Sequence, residues 1–497
     1  MTKITVKKST LEGKVFCPPS KSYTHRAIAI SCLTNGVSYL NNVLLSRDTV
    51  ATINCCKMLG MVIEEVRPSN YSNLSSQFQA NKEDTAKSKD FNSYSIADLK
   101  ISSKGARFGY ETPDDIMNAE NSGTTIRLLS SICSFVKDGF TVLSGDKSLR
   151  TRPMGDLIKS LEKLGVNCFS TKKNNTPPLI VKGGGIRGGE VIINGQISSQ
   201  FISSLLLSGV FAKDKVVVKV LGRQVSKPYI ISTMSVMKKF GINVSHNSFE
   251  DSNHKGQNYQ FPYNNINANT SLVSSYNENN SSDVITDLYE IPNDRDYAAI
   301  TFKVPGDFST AALLLSSAIL SNGKVTIHNL DFSLPQGDFN IINILKKMGA
   351  DLTVDEKNGI LSIDGTKTLE GGEFNLRDTP DLLPVLSITS LKCRNPVKIS
   401  GISHARYKET DRVSNIASQM VKFGADIKEE FDSLFITPPV KIKNASLDSF
   451  NDHRLFMAFF IASLASDESD IEGVESVDVS YPGFIEDMKN LGAKILI

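Results

Sequence analysis

Apolar residues recur at helical spacing in short stretches that each end in an apolar residue, then glycine, then a run with strand character. Six such stretches end at Gly60 (CCKMLGMVIEEV), Gly165 (IKSLEKLGVNCF), Gly241 (SVMKKFGINVS), Gly349 (INILKKMGADLTV), Gly424 (SQMVKFGADIKE) and Gly492 (EDMKNLGAKILI). A glycine just past a helix supplies the left-handed residue that other side chains adopt only at a cost, and lysine in the last turn suits the helix dipole. About 40 to 44 residues before each glycine, a short polar motif opens a second, strongly apolar helix. The motifs are Ser20-Lys21-Ser22, Asn121-Ser122-Gly123-Thr124, Ser198-Ser199-Gln200, Pro305-Gly306-Asp307, Thr379-Pro380-Asp381 and Asn451-Asp452-His453-Arg454. Helices such as AALLLSSAIL and LFMAFFIASLA are apolar nearly all round, which predicts burial. Each repeat reads as one buried helix, one surface helix and intervening strands.

Two stretches, about 68–98 and 246–290, are rich in Asn, Ser and Tyr and lack hydrophobic periodicity. They read as surface insertions, and subtracting them restores a unit spacing near 70 residues. Six units predict an α/β (α+β) fold of two domains with three units each: residues 20–303, and residues 304–497 joined by the N-terminal residues 1–19. The chain then passes twice between domains, a double-crossover hinge suited to opening and closing.

A length of 497 residues exceeds one ordinary core and argues against a small binding module. No apolar run approaches the ~18 to 20 residues of a membrane span, and Met1–Lys8 lacks the pattern of a secretory signal, so a cytoplasmic protein is expected. A net charge of +2 advertises neither a nucleic-acid nor a membrane surface. Seven cysteines without a CxxC pair read as reduced, buried thiols, and the absence of Trp removes the strongest stacking platform.

Ser, Thr, Asp and Asn at helix starts are ordinarily caps worth about 1 kcal/mol each. Here they are accompanied by residues that capping does not need: Lys21 and Arg26, Arg127 after Asn121, and His453 with Arg454. The surface helices open on Arg150-Thr151-Arg152-Pro153, Ser226-Lys227-Pro228-Tyr229 and Lys408-Glu409-Thr410-Asp411-Arg412. Cations at the positive end of a helix oppose its dipole unless an anion sits between them. Micromolar affinity needs about 8 kcal/mol, whereas one helix terminus supplies roughly 0.3–1, up to ~2 when partly buried, so several termini and guanidinium forks must converge. The pattern points to a small substrate with several phosphate or carboxylate groups. Asp307, Asp381 and Glu409 fall at the same helix starts, among cations that keep carboxylates ionised. No metal-ligand spacing, GxGxxG after a strand or GxxxxGK[ST] is present, so neither a metal nor a nucleotide cofactor is expected.

PPSKSYTHRA (18–27), NSGTTIRLL (121–129), RPMGDLI (152–158), ISSQF (197–201), SKPY (226–229), PGDFSTAA (305–312), KETDR (408–412) and NDHR (451–454) together resemble the motif series of the 5-enolpyruvylshikimate-3-phosphate synthase family. The resemblance runs from Lys3 to Ile497 apart from the two insertions, and eight motifs in order are highly specific. It implies two domains of βαβαββ units and transfer of enolpyruvyl from phosphoenolpyruvate to the 5-hydroxyl of shikimate 3-phosphate. Phosphate is released by addition and elimination through a tetrahedral intermediate, without metal or cofactor, in aromatic amino acid biosynthesis. By the same resemblance Lys21, Ser22, Arg26, Ser198, Ser199, Gln200, Ser226, Tyr229, Asp381 and Lys408 would hold shikimate 3-phosphate. Lys21, Asn121, Gly123, Arg152, Gln200, Arg412 and Arg454 would hold phosphoenolpyruvate. Asp381 would be the base on the 5-hydroxyl, with Glu409 and Lys21 handling the proton at C3. A monomer is the family expectation.

The chain departs from better-known members at Leu128, where many have Pro, at His404, where some have Asn, and at Val479-Ser480, where some have a phosphoenolpyruvate-binding Lys. Gly123 leaves space that a methyl would fill, which predicts binding of the competitor glyphosate. The alternatives are the sister enolpyruvyl transferase acting on UDP-N-acetylglucosamine, which lacks this KETDR and SSQF pairing, and a non-catalytic metabolite-binding relative.

Overall fold

The six glycines that end the surface helices all adopt positive φ, from +85° at Gly349 to +110° at Gly492. Each follows a helix: Arg47–Met58, Gly155–Lys163, Lys227–Lys239, Ile341–Lys347, Arg412–Met420 with its 3-10 extension Val421–Phe423, and Phe484–Asn490. The polar motifs open the other six: Lys21–Leu33, Gly123–Ile132, Ser199–Gly209, Phe308–Ser321, Leu383–Thr389 after the turn Pro380–Leu382, and His453–Ser463. Every residue of Phe308–Ser321 and of His453–Ser463 is buried. The serines and threonines inside these helices are satisfied within the core, as in the pairs Ser131–Ser208 at 2.7 Å and Ser316–Thr389 at 2.8 Å.

The computed structural model describes residues 2–66, 96–249 and 284–496. Most of the two stretches read as insertions lies outside the described residues. Their margins, however, are strands: Ile96–Lys104, Ser245–Ser248 and Ile285–Ile291. Ala97, Leu99 and Ile101 alternate inward, a period that the polar residues around them masked.

Among the described residues the strands form six four-stranded sheets with one common pattern: a parallel pair, then two antiparallel neighbours. Gly189–Asn194 and Val216–Leu221, for example, run parallel with the helix Ser199–Gly209 between them. The surface helix Lys227–Lys239 and the antiparallel strands Ser245–Ser248 and Ile285–Ile291 complete that βαβαββ unit.

Two units exchange their opening strands. Glu12–Phe16 pairs in parallel with Lys324–His328, whereas Thr301–Lys303 pairs in parallel with Tyr39–Asn41 of the first unit. The N-terminal strand Lys3–Lys7 completes the last sheet, between Glu468–Glu472 and Lys494–Leu496. Buried apolar side chains accordingly form two clusters, one of residues between Tyr23 and Val304 plus Leu334, the other of residues from Ile4 to Cys17 and from Phe308 to Ala493. All seven cysteines are free and buried in these cores.

The two passages between lobes lie side by side. Pro19 and Gly306 form an antiparallel bridge, flanked by Ser20 N–H to Pro305 O at 2.7 Å and Asp307 N–H to Pro18 O at 2.9 Å. A Cβ on Gly306 would stand 2.1 Å from the Asn329 carbonyl oxygen, so the bridge tolerates no side chain there. Gly306→Ala is therefore expected to destabilise the protein by about 1–3 kcal/mol, read as a lower urea midpoint with an unchanged slope.

Candidate active site

All six buried helices begin at one cleft. In four of them first-turn N–H groups are capped locally: Ser122 accepts from Thr125, Ser198 from Gln200, Asp307 from Ser309 and Thr310, and Asp452 from Arg454 and Leu455. At the first helix, Ser20 makes no side-chain cap, and Lys21 N–H instead reaches Asp307 Oδ2 at 3.2 Å from the other lobe.

Of the residues singled out from the sequence, the structure gathers Lys21, Ser22, Arg26, Gly123, Arg152, Ser198, Ser199, Gln200, Ser226, Tyr229, Asp381, Lys408, Glu409 and Arg454 around this cleft. Asn121 and Arg412 stand behind its wall. Asn121 accepts from Arg152 Nη2 at 2.7 Å and donates to Asp146 at 2.6 Å, so it holds the Arg152 guanidinium in place. Arg412 is only 1% exposed, because three carboxylates converge on it. Its Nε and Nη2 bond Asp452 at 2.7 and 3.2 Å, Nη1 bonds Asp381 at 3.1 Å, and Nη2 also bonds Glu409 at 2.7 Å. Val479, at the place of the missing Lys, is buried and does not line the cleft.

The misplaced cations thus have two kinds of partner. Lys21 pairs with Asp48 at 3.0 Å, and Arg454 with Asp381 at 3.0 Å, while Arg412 is the hub just described. Arg26, Arg127, Arg152 and Lys408 form no ion pair among the described residues. Arg26 is held by neutral oxygens: Thr233 at 2.7 Å, Ser22 at 2.5 Å and the Tyr229 carbonyl at 2.9 Å. Arg127 bonds Gln200 Oε1 at 2.6 Å and lies over the Phe201 ring.

The titrations follow from this division. Burial pushes Arg26 down to about 10, and burial together with the neighbouring Arg152 pushes Arg127 down to about 9. Burial likewise lowers Lys408. Burial would raise Asp381, yet Arg454, Lys408 and Arg412 hold it well below the usual carboxylate range. Glu409 is buried too, and Arg412, Arg152, His453 and Lys21 overcome that penalty to keep it ionised. Asp48 is raised by burial in spite of Lys21. His404 is pushed down to about 4, chiefly by burial and then by Lys408, so it is neutral at pH 7.

Sequence reasoning assigned no role to Asp48, Gln336, Asp338 or Asp452. Asp48 reads locally as a first-turn acid beside the Ser46–Thr49 capping box, and only the fold brings it to Lys21. Gly123 abuts two cations: a Cβ there would meet Arg152 Nη1 at 2.9 Å and Arg127 Nη1 at 3.4 Å. Among the described residues, no group of three His, Cys, Asp or Glu is placed to hold a metal, and no helix is long and apolar enough to cross a membrane.

The family model described as EPSP synthase (3-phosphoshikimate 1-carboxyvinyltransferase) matches residues 6–91, 92–270 and 284–488. The 3-phosphoshikimate 1-carboxyvinyltransferase of Methanocaldococcus jannaschii is 37% identical over 493 residues, covering 99% of this chain and 98% of that one. The protein of the same description from Nitrosopumilus maritimus is 36% identical over 494 residues, covering 99% of each. A solved EPSP synthase from Acinetobacter baumannii superposes over 100% of both chains with a TM-score of 0.73 at 23% identity, which is a likeness of fold.

The depressed pKa of His404 sets a stability trend with pH. Its folded value of about 4 lies below the unfolded value near 6.5, so the unfolded chain takes up the proton first and stability is lost as pH falls from 6.5 toward 4. Between pH 7 and 5 this one group costs on the order of 1–2 kcal/mol. Denaturation midpoints at the two pH values check this, and His404→Gln is expected to flatten the difference by that amount.

Proposed function

The chain belongs to the EPSP synthase (3-phosphoshikimate 1-carboxyvinyltransferase) family, and on that premise we propose which of its residues perform the reaction. The activity is enolpyruvyl transfer in the shikimate pathway. One observation carries the assignment: Arg26, Arg127, Arg152 and Lys408 reach one cleft without forming an ion pair among the described residues, while Asp381, bonded to Arg412 and Arg454, and Glu409, bonded to Arg412, are held ionised. A cleft so arranged takes a substrate pair that brings phosphate and carboxylate groups of its own.

In this reading Ser22, Arg26, Ser198, Ser199, Gln200, Ser226, Tyr229 and Lys408 hold shikimate 3-phosphate. Lys21, Gly123, Arg152, Gln200 and Arg454 hold phosphoenolpyruvate, with Arg127 adding charge, Asn121 steadying Arg152 and Arg412 anchoring the carboxylates. Asp381, with Arg412 on Oδ1 and Arg454 on Oδ2, accepts the proton of the 5-hydroxyl as its oxygen attacks C2 of phosphoenolpyruvate. The methylene C3 gains a proton in the addition and gives one up as phosphate leaves. Lys21, held by Asp48, is the donor, and the ionised Glu409 is the acceptor.

The same reading divides the chain into residues 20–303 and residues 1–19 with 304–497. It takes the protein as a cytoplasmic monomer without nucleic-acid partners, and makes glyphosate a competitor of phosphoenolpyruvate.

The test is phosphate release from phosphoenolpyruvate by purified protein, with and without shikimate 3-phosphate, in EDTA. Release is expected to require shikimate 3-phosphate and to survive the chelator. Asp381→Asn is expected to lower kcat by about 100-fold or more while calorimetry still shows shikimate 3-phosphate binding. Near-normal turnover by that variant would remove Asp381 as the base.

A further inference from the structure

Opposite Asp381, a second carboxyl reaches the same tyrosine. Asp338 lies in the 3-10 turn Gly337–Asn340 and is 6% exposed. The Tyr229 hydroxyl is 3.2 Å from Asp338 Oδ2 and 3.3 Å from Asp381 Oδ2. Asp338 forms no ion pair among the described residues, and its buried Oδ1 has no hydrogen-bond partner.

The placement is enforced from both lobes. Gln336 donates to the Gly306 carbonyl at 2.8 Å and accepts from Phe308 N–H at 3.1 Å. Tyr23 and Ser232 of the other lobe both donate to the Pro335 carbonyl, at 2.6 and 2.7 Å, and Leu334 is buried in that lobe's core.

A hydrogen-bond count then sets the protonation. Tyr229 has one O–H proton for two carboxyl neighbours, so both contacts are full hydrogen bonds only when one of the carboxyls supplies a proton of its own. Asp381 is paired with Arg454 and Arg412 and keeps its charge, whereas Asp338 has no cation bonded to it. We infer that Asp338 is a positioning residue of the transfer reaction: as the neutral acid it donates to the Tyr229 oxygen, so that Tyr229 donates to Asp381 and fixes the base toward the substrate hydroxyl. The inference rests on Asp381 being that base. Charge around Asp338 agrees: burial and Asp381 raise it to about 8, with Asp307 adding to this and Arg454 and Tyr229 opposing.

The chain of donors opens when Asp338 loses its proton, so turnover falls as pH rises through about 8. Lys408 and Arg127 also titrate on the alkaline side, so the readout is the difference between wild type and Asp338→Asn, whose amide still donates to Tyr229. In the phosphate-release assay, Asp338→Asn is expected to stay within about 3-fold of wild-type kcat and to lack that part of the loss between pH 7.5 and 9. Asp338→Ala is expected to lose about 10-fold or more in kcat, and to add nothing in a Tyr229→Phe background. Should the alanine variant not fold, the asparagine variant and its pH profile decide. An asparagine variant that shares the wild-type alkaline loss or is crippled at pH 7, or a folded alanine variant with normal turnover, would overturn the inference. Asp381→Asn, assayed in parallel, tests the base itself. Normal turnover there defeats the parent reading, whereas a disabled Asp381→Asn alongside an unaffected Asp338→Ala defeats only this one.

Discussion

Six buried helices start at one place, and much of the molecule follows from that constraint. A helix packed on all sides leaves its first N–H groups as the one polar end that must be satisfied, and here those ends meet across a cleft between two lobes. Side chains in the first turns are then forced close together whatever their charge. Like cations crowd, as Arg127 and Arg152 do, and carboxylates are drawn in to offset them. Arg412 is the extreme case: a guanidinium out of contact with water whose donors go to Asp381, Glu409 and Asp452. Removing one member of such a group leaves the others uncompensated in a low-dielectric wall, where charge is costly. The geometry of the base is therefore tied to the integrity of the fold around it.

The lobes are already in contact at the cleft. Ser148 donates to the Glu409 carbonyl at 3.1 Å and Ser226 N–H to the Arg377 carbonyl at 3.1 Å, beside the Pro335 contacts of Tyr23 and Ser232. Closure of this kind fixes donors and charges before reaction begins, which is how a site lowers a barrier without reorganising at the moment of transfer.

Helix starts and stops were legible in the sequence because their chemistry is local. The polar motifs, the terminal lysines and the six glycines act within one turn of backbone, and among the described residues the motifs stand at the starts of the six buried helices and the glycines just past the six surface helices. Charge partners were not legible. Arg412 and Asn121 match a ligand-binding pattern by neighbourhood in the chain, yet Asp452 lies forty residues from Arg412 and Asp146 twenty-five from Asn121. Asp338 sits in the approach to a surface helix, with nothing nearby in sequence to connect it to Tyr229 or Asp381. The strand margins at Ile96 and Ile285 were hidden for a related reason: short alternating runs beside long polar stretches carry little periodic signal.

The exchange of strands between units also imposes an order on assembly. During synthesis, residues 3–16 emerge before anything they pair with: Glu12–Phe16 needs Lys324–His328, and Lys3–Lys7 needs Glu468–Glu472 and Lys494–Leu496. The lobe whose core runs from Tyr23 to Val304 can assemble once Thr301–Lys303 is available to close its first sheet, whereas the other needs Lys494–Leu496 for its last. Two β-prone segments, Lys3–Lys7 and Glu12–Phe16, thus spend most of translation with unpaired edges. They are short, and lysines at 3, 7, 8 and 14 sit in or beside them. Charge of that kind discourages pairing with another nascent chain before the proper partner arrives.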